Sequence, residues 1–201
     1  MKTTLCESVD DILIRTSIPG AALGSGVTDA DTGERASRER EGTTGGTYTL
    51  FVELAGPATV DVGALGAVDF EAGWYAYVGS ALGSGGFSRV RRHRELAAGE
   101  RETRHWHVDY LLGHPAASLD GVVASAGADV ECAVARGLAD AGLAAVGGFG
   151  CSDCGCDTHL ARAPARRPLV AAVARAHRRA RAAGGSVGVG VGGGGSRDGS
   201  D

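Results

Sequence analysis

Lysine is almost absent from this chain of 201 residues, because Lys2 is the only one and arginine supplies the remaining positive charge. An excess of positive charge is absent too, since the formal net charge at pH 7 is −4. The composition therefore argues against a surface that binds polyanions as a whole, and any phosphate site must be a local group of arginines. Two such groups exist, over residues 89–94 and residues 166–181. The second group is equally typical of a solvated helix face.

Long apolar runs are also absent. No segment approaches the roughly 18 apolar residues of a membrane-spanning helix, and no apolar signal core precedes Asp10. We therefore expect a cytoplasmic protein with no membrane partner. An even set of cysteines is missing as well: there are five, and three of them crowd into residues 151–156, so the sequence does not predict a disulfide framework.

The distribution of residue types predicts an α+β fold with a small antiparallel or mixed sheet flanked by helices. Residues 1–44, apart from the apolar triplet at 12–14, are rich in Gly, Ser, Thr and acidic residues, and we expect a disordered arm there. Residues 45–163 carry the strand and helix patterns and form the predicted domain. Residues 164–183 are predicted to be an Arg/Ala helix, and residues 184–201 a disordered Gly-rich tail.

Within the predicted domain, alternating apolar residues indicate a strand over residues 47–54. Two short strands and an aromatic-rich strand follow, and the four together are interpreted as an antiparallel meander. The later predicted elements are a Gly-rich loop (79–86), a helix (87–98), a short helix (105–112), a buried strand (119–125), a helix (130–141) capped by Asp129, a last strand from His159, and a helix (168–182).

Two short sequence motifs lie at the ends of strands, one on the first strand of that meander and one on the last. They are Gly46-Thr47-Tyr48 and Tyr77-Val78-Gly79, and Arg89 and His93 follow on the next predicted helix. Phenols can orient or deprotonate a water, and the planar guanidinium matches phosphate oxygens, so such a set suits phosphodiester chemistry. In this order and context the residues resemble the GIY-YIG nuclease pattern.

The amino-acid sequences of three longer segments resemble one branch of that family more closely. The segments are residues 73–80, 104–112 and 149–159. The branch is found mainly in archaea, its members are sometimes fused to endonuclease III, and it long lacked an assigned function. The likeness covers roughly residues 45–163.

The resemblance implies a metal-dependent endonuclease that hydrolyses phosphodiester bonds in DNA or RNA, with a role in DNA repair. A base-excision enzyme such as an endonuclease III-type glycosylase is the implied partner. Tyr48 would act as general base or orient the attacking water, with Tyr77 beside it and His93 contacting phosphate or carrying a proton. Arg89 would stabilise charge on the phosphate, and Glu131 would hold Mg²⁺ or Mn²⁺.

Four neighbouring residues are candidates for contacting nucleic acid: Arg91, Arg92, His105 and His107. On an extended segment His105, His107 and Asp109 would point the same way and could bind a metal or phosphate, whereas a helix would scatter them. The alternative is that they are polar residues satisfied beside a buried Trp106.

Cys151, Cys154, Cys156 and His159 lie within nine residues and offer a complete Cys₃His ligand set for Zn²⁺. The glycines at 147–150 make a tight loop feasible. The alternative is a set of free thiols that help the loop pack or respond to oxidation. Cys132 receives no role from its position in the sequence.

Three function classes therefore stay open. The first is the metal-dependent nuclease. The second is a non-catalytic nucleic-acid-binding or adaptor module on the same fold, favoured by the 29 positions between Tyr48 and Tyr77 and by the acidic charge of the predicted domain. The third is a zinc or redox module centred on the loop from Cys151 to His159.

Overall fold

The computed structural model describes residues 12–16, 45–151 and 154–184, so most of the predicted arm and the predicted tail beyond Gly184 lie outside the described residues. The strands are β1 (Ile12–Thr16), β2 (Gly46–Leu54), β3 (Ala58–Asp61), β4 (Ala67–Phe70), β5 (Gly73–Ser80), β6 (Ala117–Ala126), β7 (Ala144–Ala145) and β8 (Leu160–Ala163). The helices are α1 (Ser88–Ala97), α2 (His107–Leu112), α3 (Glu131–Asp140) and α4 (Arg166–Gly184), and a 3-10 turn covers Gly63–Leu65. The bounds of these helices differ from the predicted ones by at most two residues.

The α+β class is confirmed, with one antiparallel sheet of six strands in the order β1-β6-β2-β5-β8-β7. The predicted meander is wrong, because within the described ranges β3 and β4 pair only with each other and β2 pairs directly with β5. This pairing places Tyr48 opposite Gly79, so the two motif phrases lie side by side. The apolar triplet of the predicted arm falls in β1, which extends the sheet beside β6.

Strand β2 is buried on both faces because a helical layer covers each side of the sheet. Tyr48, Leu50 and Val52 pack in one apolar cluster with α1 and α2. Phe51 packs in a second cluster with α3 and α4, so the Arg/Ala helix is part of the folded domain. None of the helices in the described ranges combines the length and apolar character needed to cross a bilayer.

Strand β2 also fixes the start of α3. The predicted cap at Asp129 is wrong, because the N-cap position is Val130 and it has no side-chain cap. Instead the hydroxyl of Thr47 accepts a hydrogen bond from the Val130 amide at 3.0 Å and donates one to the Ala128 carbonyl at 3.0 Å. A buried strand residue thus anchors the first turn of α3, where Glu131 and Cys132 lie.

A buried histidine joins α4 to the sheet. His177 Nε2 lies 2.8 Å from the Thr49 hydroxyl, and its Nδ1 lies 2.9 Å from the Ser125 hydroxyl. All three side chains are buried. Burial, with a smaller contribution from Arg181, lowers the pKa of His177 to about 4.

We expect acidification to destabilise the fold through His177. Its folded-state pKa is below the ordinary value of 6.5, so the unfolded chain binds the proton more readily and stability is lost as pH falls from about 6.5 towards 4. The shift corresponds to a loss of roughly 3 kcal/mol. Urea unfolding between pH 7.5 and 4.5 measures it, with His177→Gln as the comparison. An equal pH slope in both proteins would contradict the assignment.

Candidate functional site

The residues predicted to be catalytic meet at one end of the sheet. Tyr48 comes from β2, Tyr77 from β5, Arg89 and His93 from α1, and Glu131 from the first turn of α3. Their charges act on one another: Arg89 lowers and Glu131 raises the pKa of both phenols. The fold therefore brings together five residues that span 83 positions of the sequence.

A buried hydrogen-bond chain runs from Tyr48 through His93 to Asp109. The Tyr48 hydroxyl lies 2.9 Å from Nε2 of His93, and Nδ1 of His93 lies 2.9 Å from Oδ1 of Asp109. Because an ionised carboxylate only accepts hydrogen bonds, the proton of a neutral His93 is on Nδ1 and its Nε2 accepts from the phenol. This is the orientation by which a carboxylate holds an imidazole ready to take a proton.

Asp109 is fully buried and accepts from several donors at once. Its Oδ2 accepts from both terminal nitrogens of Arg92, at 3.1 and 3.0 Å, and from the backbone amides of His105 and Trp106, at 2.7 and 3.1 Å. Burial acts to raise the pKa of Asp109, but the hydrogen bonds from His93 and the two amides lower it below its usual value. The carboxylate is thus ionised and fixed in position.

Burial sets the charge states of the phenols and the imidazole. It raises the pKa of Tyr48 well above the usual value, and Tyr77 adds to this effect. It also raises the pKa of Tyr77, with Glu131 as the next cause. Burial lowers the pKa of His93, although Asp109 opposes it. Both phenols and the imidazole are therefore neutral near pH 7.

Trp106 supports the arginines beside this chain. The guanidinium carbon of Arg89 lies 4.4 Å and that of Arg92 lies 4.5 Å from the indole centroid. Arg89 also donates a hydrogen bond to the Ser80 carbonyl at 2.6 Å. These three side chains and the Gly-rich segment 81–88 line a cavity of about 210 Å³, which is smaller than a site for a drug-sized ligand but open to a phosphate group.

The four residues predicted to contact nucleic acid have different surroundings. Arg91 is 76% exposed and lies 3.5 Å from Glu95, and His105 is exposed against the edge of Trp106. The Arg92 guanidinium donates hydrogen bonds to Asp109. Nδ1 of His107 accepts a hydrogen bond from the Gly150 amide at 3.0 Å. His107 and Asp109 lie in the short helix α2, which turns their side chains apart as the helical alternative predicted, whereas His105 precedes the helix.

A second cluster lies at the start of α3. Ligand atoms of Cys132, Cys154, Cys156 and His159 all lie within 4.8 Å of one another, so these residues form a Cys₃His group that could bind a metal. The structure differs from the predicted set in one member, because Cys132 takes the place expected for Cys151. The Cys151 thiol instead lies 3.5 Å from the Asp157 carbonyl.

The physical reason for this exchange is the geometry of a short loop. A segment of nine residues has difficulty pointing four side chains at one centre, whereas the first turn of α3 supplies a thiol from a separate, rigid element. Burial and neighbouring thiols raise the pKa of Cys132 and Cys156, while a backbone hydrogen bond from Cys156 lowers that of Cys154. The described cysteines form no disulfide.

His159 links the two clusters. Its Nε2 lies 3.4 Å from the Cys154 sulfur, and its Nδ1 lies 3.1 Å from Oε1 of Glu131. Nδ1 is buried and its approach to Glu131 lacks hydrogen-bond geometry, so this atom has no hydrogen-bond partner among the described residues. Burial acts to lower the pKa of His159, but Glu131 raises it overall.

Sequence reasoning missed two residues of this region. Asp109 was singled out only for its alternation with two histidines, although its place three residues after Trp106 is that of a helix-capping carboxylate. Cys132 receives no role from the sequence pattern, in which 22 positions separate it from Cys154. Cys132 directly follows Glu131, the first residue of α3, and this position is the signal that could have identified it.

Gly79 is needed for the position of Tyr48. A Cβ at Gly79 would lie 2.6 Å from both Cζ and the hydroxyl oxygen of Tyr48. We expect Gly79→Ala to displace the phenol from His93 and to lower the free energy of unfolding by about 1–3 kcal/mol. Gly56→Ala is the matched control, since nothing lies within 4 Å of its Cβ. Thermal unfolding of the two variants checks this, and equal midpoints would contradict it.

Comparison with known proteins gives a family without an assigned activity. The model of the family described as domain of unknown function DUF123 matches residues 47–182, which extends past the predicted domain end at 163 and includes nearly all of α4. No curated protein and no solved structure matches the chain. The matched span contains both clusters and more than half of the sequence. The chain therefore belongs to the DUF123 domain family.

Proposed function

We propose that this chain is a metal-dependent nuclease that hydrolyses phosphodiester bonds in DNA. The observation that supports the proposal most is the hydrogen-bond chain from Tyr48 to Asp109, with Arg89 and Glu131 acting on the same phenol. The resemblance of these residues to the GIY-YIG pattern supports it independently. A role in DNA repair beside a base-excision glycosylase is part of the proposal and follows from the resemblance.

The proposed proton path uses groups that are already in contact. The oxygen of Tyr48 accepts a hydrogen bond from the attacking water while its own proton points to Nε2 of His93. As the water oxygen bonds to phosphorus, its proton passes to Tyr48 and the phenolic proton passes to His93. Asp109 then stabilises the imidazolium. The ester P–O bond breaks, the departing oxygen takes a proton from bulk water, and His93 gives its extra proton back to bulk water, which restores the starting state.

Arg89 and Tyr77 complete the proposed site. Arg89 gives one hydrogen bond to Ser80 and has further N–H groups for phosphate oxygens, and its charge opposes the rise in the pKa of both phenols. Its role is to stabilise charge that develops on the phosphate. Tyr77 is only 5% exposed and orients the water or phosphate from the neighbouring strand.

Glu131 is the residue that we assign to a hard cation. Its side chain is 24% exposed, and a carboxylate together with substrate phosphate is the ligand set that Mg²⁺ prefers. Asp109 is unsuited to this role because its oxygens already accept from His93, Arg92 and two amides. When bound, Mg²⁺ or Mn²⁺ would neutralise phosphate charge and acidify a coordinated water.

The burial of the site's side chains favours one alternative function, a module that binds nucleic acid without cutting it. Tyr48 is 1% exposed, and Arg89 donates a hydrogen bond to the Ser80 carbonyl and rests against Trp106. A module that binds nucleic acid without cutting it would tolerate such buried phenols. It predicts binding that weakens steeply with salt and no turnover.

A cleavage panel separates these alternatives. Nicked, flap and branched DNA are incubated with the protein in Mg²⁺ or Mn²⁺, and initial rates are measured. We expect Tyr48→Phe to lower kcat by about 10²–10⁴-fold, because the phenol can no longer exchange a proton with His93. Arg89→Ala should lower it by about 10²–10³-fold through loss of charge stabilisation.

Matched controls exist for both variants. Tyr110→Phe removes a hydroxyl outside the site, and Arg101→Ala removes an exposed arginine that pairs with Glu95. Both should cleave like the unmodified protein. Cleavage by Tyr48→Phe at the unmodified rate would contradict the nuclease proposal, and salt-sensitive binding without any cleavage would support the binding module.

We propose Zn²⁺ for the Cys₃His group. Three thiols and an imidazole are a common structural zinc set, and bonds of about 2.0–2.3 Å in a tetrahedron bring ligand atoms roughly 3.3–3.8 Å apart. The spread of up to 4.8 Å among the four ligand atoms is close to this requirement. The four ligand residues come from both α3 and the following loop, so a bound ion would hold these two segments together.

Metal analysis of purified variants tests the ligand set. We expect about one zinc per chain in the unmodified protein and in Cys151→Ser, and none in Cys132→Ser. The reason is that, of these two cysteines, Cys132 is a member of the Cys₃His group and Cys151 is not. Plasma emission measurements give the ratio directly. The opposite pattern, with zinc lost from Cys151→Ser and kept in Cys132→Ser, would assign the site to the loop alone.

A further inference from the structure

We propose that the Cys₃His centre is a positioning device for Glu131, so that one metal centre controls the carboxylate on which the other site depends. This inference rests on the proposed nuclease function and adds a mode of control to it. His159 is the positioning residue, because one of its ring nitrogens contacts the Cys154 sulfur of the Cys₃His group and the other contacts Glu131.

The two nitrogens of His159 have different partners. Nε2 is directed at the thiol cluster, 3.4 Å from the Cys154 sulfur. Nδ1 is buried and makes no hydrogen bond to the part of the chain that the structure describes, although Oε1 of Glu131 is only 3.1 Å away. A histidine that binds a metal through one nitrogen commonly donates its other N–H to a carboxylate. A small rotation of the Glu131 carboxylate would satisfy both atoms.

Glu131 is held from its backbone as well. It is followed directly by Cys132, a member of the Cys₃His group, and the preceding amide of Val130 is held by Thr47 of β2. An ion bound by Cys132 and His159 would therefore fix the backbone and the carboxylate of Glu131 at the same time. Loss of the ion would release the carboxylate while leaving α3 attached to the sheet.

The loop that contains Gly150 and leads to His159 packs against Tyr77. A Cβ at Gly150 would lie 3.0 Å from the Tyr77 ring and 3.1 Å from Cβ of His159. The Gly150 amide donates to His107 of α2, which ties the loop to the layer that carries Asp109. Gly150 thus lies between Tyr77 and His159, so the position of His159 is coupled through the loop to one of the two phenols as well as directly to Glu131.

The first test measures zinc affinity by competition with a chromophoric chelator. We expect Glu131→Gln to bind the same amount of zinc about 10–100-fold more weakly, the usual effect of losing a carboxylate that supports a metal-bound histidine. Asp129→Asn is the matched control, since it removes an exposed charge two residues earlier. In the cobalt-loaded protein, Glu131→Gln should also change the visible absorption bands. Equal affinities for the unmodified protein and Glu131→Gln would overturn the inference.

The second test measures the Mg²⁺ concentration that gives half-maximal cleavage. We expect zinc-depleted protein and Cys132→Ser to need at least about tenfold more Mg²⁺, with Cys151→Ser unchanged and zinc readdition restoring the depleted protein. An unchanged Mg²⁺ requirement after zinc removal would overturn the positioning role. If no substrate is cleaved at all, the nuclease proposal fails, while the zinc affinities still decide whether His159 couples Glu131 to the Cys₃His centre.

Discussion

The buried carboxylate of Asp109 is the interaction on which the proposed site depends. An unpaired charge in a protein interior is strongly destabilising, so this group persists only because His93, Arg92 and two backbone amides all donate to it. Its demand for donors fixes three things together: the start of α2, the tautomer of His93, and the plane of Arg92 against Trp106. The hydrogen bond from Tyr48 to His93 is a consequence of that arrangement.

A second constraint comes from strand β2, which is covered on both faces. Its odd and even residues serve opposite layers: Tyr48 reaches α1, while Thr47 and Thr49 hold the start of α3 and the middle of α4. A shift of one residue in the pairing of β2 would exchange these two sets. The position of Tyr48 relative to Glu131 is therefore set by strand register, which Gly79 helps to fix by leaving room for the phenol ring.

The sequence predicted the elements well because their signals are local. Alternation over residues 47–54 identified β2, and the apolar period of α3 identified that helix. Pairings between distant residues were not predictable in this way: Asp109 meets His93 across 16 positions, and Cys132 meets His159 across 27. Such contacts depend on how helices pack against the sheet, and no propensity or periodicity encodes them. The meander failed for the same reason, since β3 and β4 have ordinary strand patterns but no neighbour in the main sheet.

Burial of the phenols restricts how the proposed chemistry can proceed. In the protein alone, desolvation raises the pKa of both phenols and Glu131 raises it further, whereas Arg89 lowers it. Proton transfer from Tyr48 to His93 then separates charge in a poorly solvated place, which becomes favourable only when further positive charge arrives. A cation at Glu131 would both supply that charge and cancel the carboxylate that opposes the transfer. The protein alone would therefore hold its base in an unreactive state until a cation binds, which makes the position of Glu131 the natural point of control.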